Sequence, residues 1–173
     1  MKEILHYDKA AHRFYKTQNI TDLPLMGWDV FSKFFSKVCE SLQDIQILNS
    51  ISKEQSWLEK VPFEDEVLQK KHIVVVTDAH LNIVHATKNI FEMNGYDPKE
   101  IVGQKPKIFQ GVDTCKETAK SISQAVKAHK PFEATILNYR KDGSPYNCWI
   151  KGAPIFNKKG KVVNFIAFER EVA

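Results

Sequence analysis

An α+β fold is predicted by three features of this 173-residue sequence. Apolar side chains recur at helical spacing over roughly the first 70 residues, the remainder switches to short β-branched runs, and glycine-containing turns separate those runs. Two of the strand runs precede a group of helical segments and three follow it. The order β-β-α-α-α-β-β-β predicts a five-stranded antiparallel sheet with helices packed on one face, preceded by an N-terminal helical extension.

The elements follow in order. Ile4, Leu5, Ala11, Phe14 and Tyr15 suggest a short helix over about 2–17, ended near Asn19–Pro24. Trp28, Phe31, Phe35, Val38, Leu42 and Ile45 then recur at steps of three and four, one stripe of a second helix. A core-packing helix and a dimerisation helix both fit that stripe. Ser52 is a candidate cap for a segment holding Trp57, Leu58 and Val61, which Pro62 interrupts before a short helix at Glu64–Leu68. No Gly- or Ser-rich linker follows, so the extension (1–70) and the domain (71–173) are expected to be mechanically joined.

Ile73–Thr77 and Ile83–Ala86 read as a hairpin across the turn Asp78–Asn82. Asn89–Asn94 is a short helix stopped by Gly95, and Asp97-Pro98 opens another that stops at Gly103. Thr114–His129 is a longer helix with apolar Ala119, Ile122, Ala125 and Val126. Strands Phe132–Tyr139, Tyr146–Phe156 and Val162–Phe168 close the chain, joined by loops containing Gly143 and Gly160.

Composition excludes several classes. Hydrophobic residues make up 43% and charged residues 27%, mean hydropathy is −0.36, and the longest aliphatic run is Ile73–Val76. A spanning helix needs about 20 apolar residues, and the N-terminus has no signal-peptide pattern, so a cytoplasmic protein without a membrane partner is expected. Cys39, Cys115 and Cys148 are scattered, and six histidines form no ligand spacing, which argues against disulfides and a metal site. His80 and His85 are expected at the surface. Residues 1–70 carry 9 Lys/Arg against 11 Asp/Glu, a net −2, and residues 71–173 carry 16 against 10, a net +6. The lysines of the second half are dispersed over loops, so a solvated basic face is expected rather than specific nucleic-acid binding. Phosphate-binding loops are absent, and Asp78, Asp113 and Asp142 fall in turns where Asp is structural, so no enzyme is expected.

Two segments carry a family resemblance. Asn94-Gly-Tyr-Asp-Pro-Lys-Glu-Ile-Val-Gly103 resembles the GYxxxEllG signature of PAS domains, and Tyr139–Pro145 with Pro154–Phe165 resembles their closing motif. The match covers about residues 71–171. Gly103–Gly111 resembles the GxNCRFLQG stretch of the flavin-binding LOV branch, the blue-light receptors. The resemblance implies a PAS fold and a sensory role. Laid on this sequence, the photoactive cysteine's position holds Pro106, and the preceding asparagine's position holds Lys105. The flavin-phosphate arginines become Lys107 and Ser123. Of two ring-reading asparagines one is Asn138 and the other is Cys148, the signalling glutamine becomes Glu169, and Gln110 is kept.

These substitutions imply a re-tooled pocket with no cofactor. Pro106 has no thiol, so the flavin adduct is excluded. Cys148 and an ionised Glu169 match a flavin edge poorly, and a lost phosphate contact removes about 1.5–3 kcal/mol, so non-covalent flavin is disfavoured. Haem is disfavoured because only His129 lies on the long helix. The purified protein is then expected to be colourless. Pro106, Gln110, Asn138, Cys148 and Glu169 are the candidate ligand-binding residues, the last four on one side of the pocket by strand alternation. Glu169, if buried, should have a raised pKa, with Lys105 its nearest candidate partner. The function implied is a non-catalytic sensory module that homodimerises through residues 1–70 and acts on a separate partner such as a kinase or response regulator. A LOV-like photosensor binding flavin non-covalently and a DNA-linked transcriptional regulator are the alternatives.

Overall fold

A computed structural model describes residues 26–173, with 26–31, 33 and 34 as backbone alone. The helix expected over 2–17 lies outside the described residues. Helix α1 runs Met26–Glu54, a π-helical turn spans Asp65–Gln69, and strands β1 (Ile73–Asp78) and β2 (Ile83–Ala86) form the first hairpin. Helices α2 (Ile90–Asn94) and α3 (Pro98–Ile101), a 3-10 turn (Pro106–Phe109) and helix α4 (Lys116–Lys127) follow. Strands β3 (Phe132–Tyr139), β4 (Pro145–Phe156) and β5 (Val162–Val172) complete a five-stranded antiparallel sheet in the order β2-β1-β5-β4-β3. The last strand runs four residues beyond Phe168 because β4 pairs with it as far as Val172.

Residues 38–173 form one compact unit. Its core has two parts because side chains alternate across the sheet. Ile73 and Val75 of β1 turn to the face shared with Ile83, Ile90, Ile101, Phe109 and Ile136. Val74 and Val76 turn to the other face, where Ile45 and Leu48 of α1 join Trp57, Phe63, Val67, Ile155 and Ile166. The C-terminal half of α1 and the segment after it therefore cover the second face of the sheet. A strand buried on both sides reads as a continuous apolar run, as Ile73–Val76 does.

Polar groups fasten this second layer. Trp57 Nε1 donates to Asn164 Oδ1 at 2.8 Å, and Asn164 Nδ2 donates to the Thr77 carbonyl at 2.9 Å. Buried Asp44 accepts from the Lys88 backbone N–H at 2.7 Å, with His85 Nε2 at 3.4 Å. His85 is therefore mostly shielded rather than a surface histidine, because α1 lies against β2. Ser52 does not cap a new segment: it sits inside α1, which continues to Glu54. The helical stripe divides, with Ile45 4% exposed and Leu42 45% exposed. Trp28 and Phe31 have no described side chains.

Candidate functional site

A cavity of about 840 Å³ lies between the sheet and its helical layer. Local chemistry builds its wall. Asp97 accepts from the Lys99 N–H at 2.8 Å, and Glu100 accepts from the Asp97 N–H at 3.1 Å, a capping box that starts α3. Gly103, at φ +84°, ends the turn, and its N–H donates to the Ile83 carbonyl while the Ile83 N–H donates to Gln104. Lys105 then enters extended, as a residue before proline must, and the 3-10 turn from Pro106 seats Phe109 edge-on to Tyr96. This turn carries Lys105, Pro106, Lys107 and Gln110 to the cavity. The next loop is tied to β3: Thr114 Oγ1 donates to the Leu137 carbonyl at 2.7 Å, and Tyr139 Oη donates to Asp113 at 2.6 Å.

Helix α4 forms the opposite wall. Ala119, Ile122 and Val126 recur on one side at helical spacing, yet no residue of α4 is buried. All three line the cavity. An apolar helix face that is only half covered by its own protein stands over a space rather than a packed core. Across that space the sheet presents Val75, Ile136, Ile150 and Phe165.

Among the described residues, four buried polar side chains line the cavity: Thr77 of β1, Thr114, Asn138 of β3 and Glu169 of β5. Burial pushes the Glu169 carboxyl up to about 7, and the neighbouring Cys148 thiol offsets only part of that rise. Cys148 Sγ lies 3.9 Å from Glu169 Oε2, and burial, with Glu169 beside it, pushes the thiol well above its ordinary value. Tyr146 is buried in the same region, its hydroxyl near Asn94 and Asn138, and desolvation raises it as well. Exposed Lys105, Lys107 and Lys116 stand at the cavity wall.

The structure thus places Pro106, Gln110, Asn138 and Glu169 around one cavity. Cys148 is corrected: it is wholly buried and is not among the lining residues, and the Glu169 carboxyl lies beside its thiol. Ile150, two positions along the same face of β4, lines the space in its stead. Lys105 is also corrected as the partner of Glu169: it is exposed, and Cys148 is the side chain that meets the carboxyl. Lys116, Asn94 and Tyr146 were missed by the sequence reading. The unusual tyrosine and asparagine were visible as residues, but nothing local announced that they meet.

Residues 71–173 match the PAS domain family model, so the chain belongs to the PAS family. Within that family it is similar to LOV-type proteins. It is 36% identical over 113 residues to phototropin-2 of Oryza sativa subsp. japonica, covering 64% of this chain and 12% of that protein. It is 34% identical over 102 residues to Protein TWIN LOV 1 of Arabidopsis thaliana, covering 57% and 26%. A blue-light-activated histidine kinase of Brucella canis is 28% identical over 102 residues, covering 57% and 21%. The chain therefore spans only about an eighth to a quarter of the length of these relatives. Among solved structures, the light state of the blue-light photoreceptor Aureochrome1 LOV superposes with TM-score 0.58 at 28% identity, covering 62% of this chain and 88% of that one. A LOV domain studied with a flavin analogue superposes with TM-score 0.61 at 22% identity, covering 66% and 87%, and shares the fold.

These likenesses overturn the expectation of a chain without a cofactor. The physical reason lies in the cavity. Pro106, Lys107 and Ser123 change its chemistry but do not fill it, and its volume falls within the 300–1,000 Å³ typical of ligand sites. Its residues fit a flavin: apolar walls for the ring, Gln110 and Asn138 for a polar edge, and lysines for a phosphate. Among the described residues no helix is long and apolar enough to cross a membrane.

Proposed function

We propose that this chain is a non-catalytic sensory module that holds a flavin non-covalently between α4 and the sheet. The observation that carries the reading is the half-covered apolar face of α4, opposite an apolar sheet, around a ligand-sized space with buried Asn138 at its edge. Asn138 and Gln110 orient the ring through amides that both donate and accept. Lys107 supplies a point charge for a phosphate, without the bidentate grip of an arginine. When bound, a flavin supplies blue-light absorption and redox chemistry. Pro106 withholds the thiol, and neither Cys115 nor Cys148 lines the cavity, so the site has no described sulfur with which to bond a ligand.

In the same reading, residues 1–70 pair two copies, while residues 38–70 also serve as a fixed layer of the domain that begins at 71. Leu42, exposed on the stripe that buries Ile45, lies at the edge of that pairing surface. The output partner is a kinase or response regulator; the Brucella relative, named a histidine kinase, supports the first of these. The test is to denature freshly purified protein and identify what it releases. Stoichiometric flavin is expected. Absence of released flavin, together with no quenching of added flavin mononucleotide by about 100 μM protein, would overturn the flavin reading. For pairing, light scattering should give a dimer that Leu42→Glu weakens; a wild-type monomer at that concentration refutes it.

A further inference from the structure

Among the described residues, Glu169 is the one titratable side chain that is both buried and facing the cavity. Its surroundings offer no counter-charge. From β1, Ile73 pairs opposite it and Val75 lies on the same face. From β4, Ile150 pairs opposite it and Cys148 brings a neutral thiol whose own ionisation is suppressed by burial. Tyr146, also on β4, is held neutral by desolvation. Glu171, two residues along β5, is engaged by Arg140 at 2.7 Å. From β3 comes the uncharged amide of Asn138, and α4 contributes Ile122 and Ser123. The turn and the start of α4 contribute Lys105, Lys107 and Lys116 to the same cavity, but all three are exposed, and Cys148 is the side chain that meets the carboxyl.

We propose that Glu169 meets the ligand as a neutral carboxylic acid, its hydroxyl donating a hydrogen bond to an acceptor atom on the ligand's ring. The proposal rests on the flavin reading for the identity of that ligand. A protonated carboxyl is both a donor and an acceptor, so it can replace an amide at a ring edge, whereas a carboxylate only accepts. Apolar walls that keep an acid neutral near pH 7 let it serve as a donor. The site would then select heteroaromatic ligands with a bare nitrogen or carbonyl oxygen toward β5. Ionising Glu169 would remove the donor and set a negative charge against the acceptor, so binding requires the proton.

Riboflavin is the suitable probe, because it carries no phosphate to titrate in the same range. The apo chain is titrated with riboflavin by fluorescence quenching between about pH 5.5 and pH 8.5, beside Glu169→Gln. The dissociation constant of the wild type should rise by up to about tenfold per pH unit above about pH 7, the linkage of one proton. That of Glu169→Gln should stay level, since an amide donates at every pH in the range. Parallel, level curves for both proteins overturn the proposal. Failure of both proteins to bind at any pH overturns the flavin reading instead. The carboxyl is then judged alone, by the infrared C=O band that wild type shows and Glu169→Gln lacks. A neutral acid at about pH 6 upholds the donor, and a carboxylate overturns it.

Discussion

Replacing Glu169 with Gln should change the pH dependence of folding even when no ligand is present. The carboxyl stands at about 7 in the folded chain against an ordinary 4.5, raised by burial. Below about pH 4.5 it is protonated in both states and costs nothing. As pH rises from there, the unfolded chain ionises while the folded one holds its proton, so stability falls until the folded carboxyl ionises near 7 and the loss levels off. Two and a half pKa units at 1.36 kcal/mol each correspond to about 3 kcal/mol, an upper figure for a side chain beside a cavity that admits water. Urea unfolding of wild type and Glu169→Gln at about pH 5 and pH 8.5 isolates it, because the other titrating groups are common to both. With a urea slope of about 1–3 kcal/mol per molar, the wild-type midpoint should drop by up to roughly 1–3 M relative to the variant. Midpoints that shift in parallel would refute the claim that Glu169 is buried without a counter-charge.

Leu48→Ala removes a wholly buried side chain from the layer between α1 and the sheet, and should cost about 2–5 kcal/mol in chemical denaturation. Trp57→Phe leaves Asn164 Oδ1 without its donor and should cost about 1–3 kcal/mol, detected as a lowered unfolding midpoint with the slope unchanged. Lys107→Ala should weaken flavin mononucleotide about fivefold, the worth of a modest exposed ion pair, and leave riboflavin unaffected in a paired quenching titration.

Much of the sheet was legible because its signals are local. The boundaries Phe132–Tyr139 and Ile83–Ala86 follow from β-branched runs and flanking turns, and the stop at Gly95 follows from a left-handed residue at φ +75°. Pro106, Gln110, Asn138 and Glu169 could be placed near one another by motif position. Helical periodicity likewise marked Ile45 and Leu42 as one stripe, but period alone names no neighbour.

What the residue order by itself determined was the identity and sequence of the helices and strands from Ile73 onward, together with the loss of a thiol at Pro106. What only the tertiary structure decided was which groups meet. His85 is shielded because Asp44, 41 residues earlier in the numbering, is brought beside it by α1. Cys148 lies behind Glu169 rather than on the cavity, although alternation puts both on one face of the sheet. The charge state of Glu169 was out of reach of the sequence for the same reason. A carboxyl's affinity for its proton depends on the solvent and charges around it, and here those are removed by strands and helices distant in the chain.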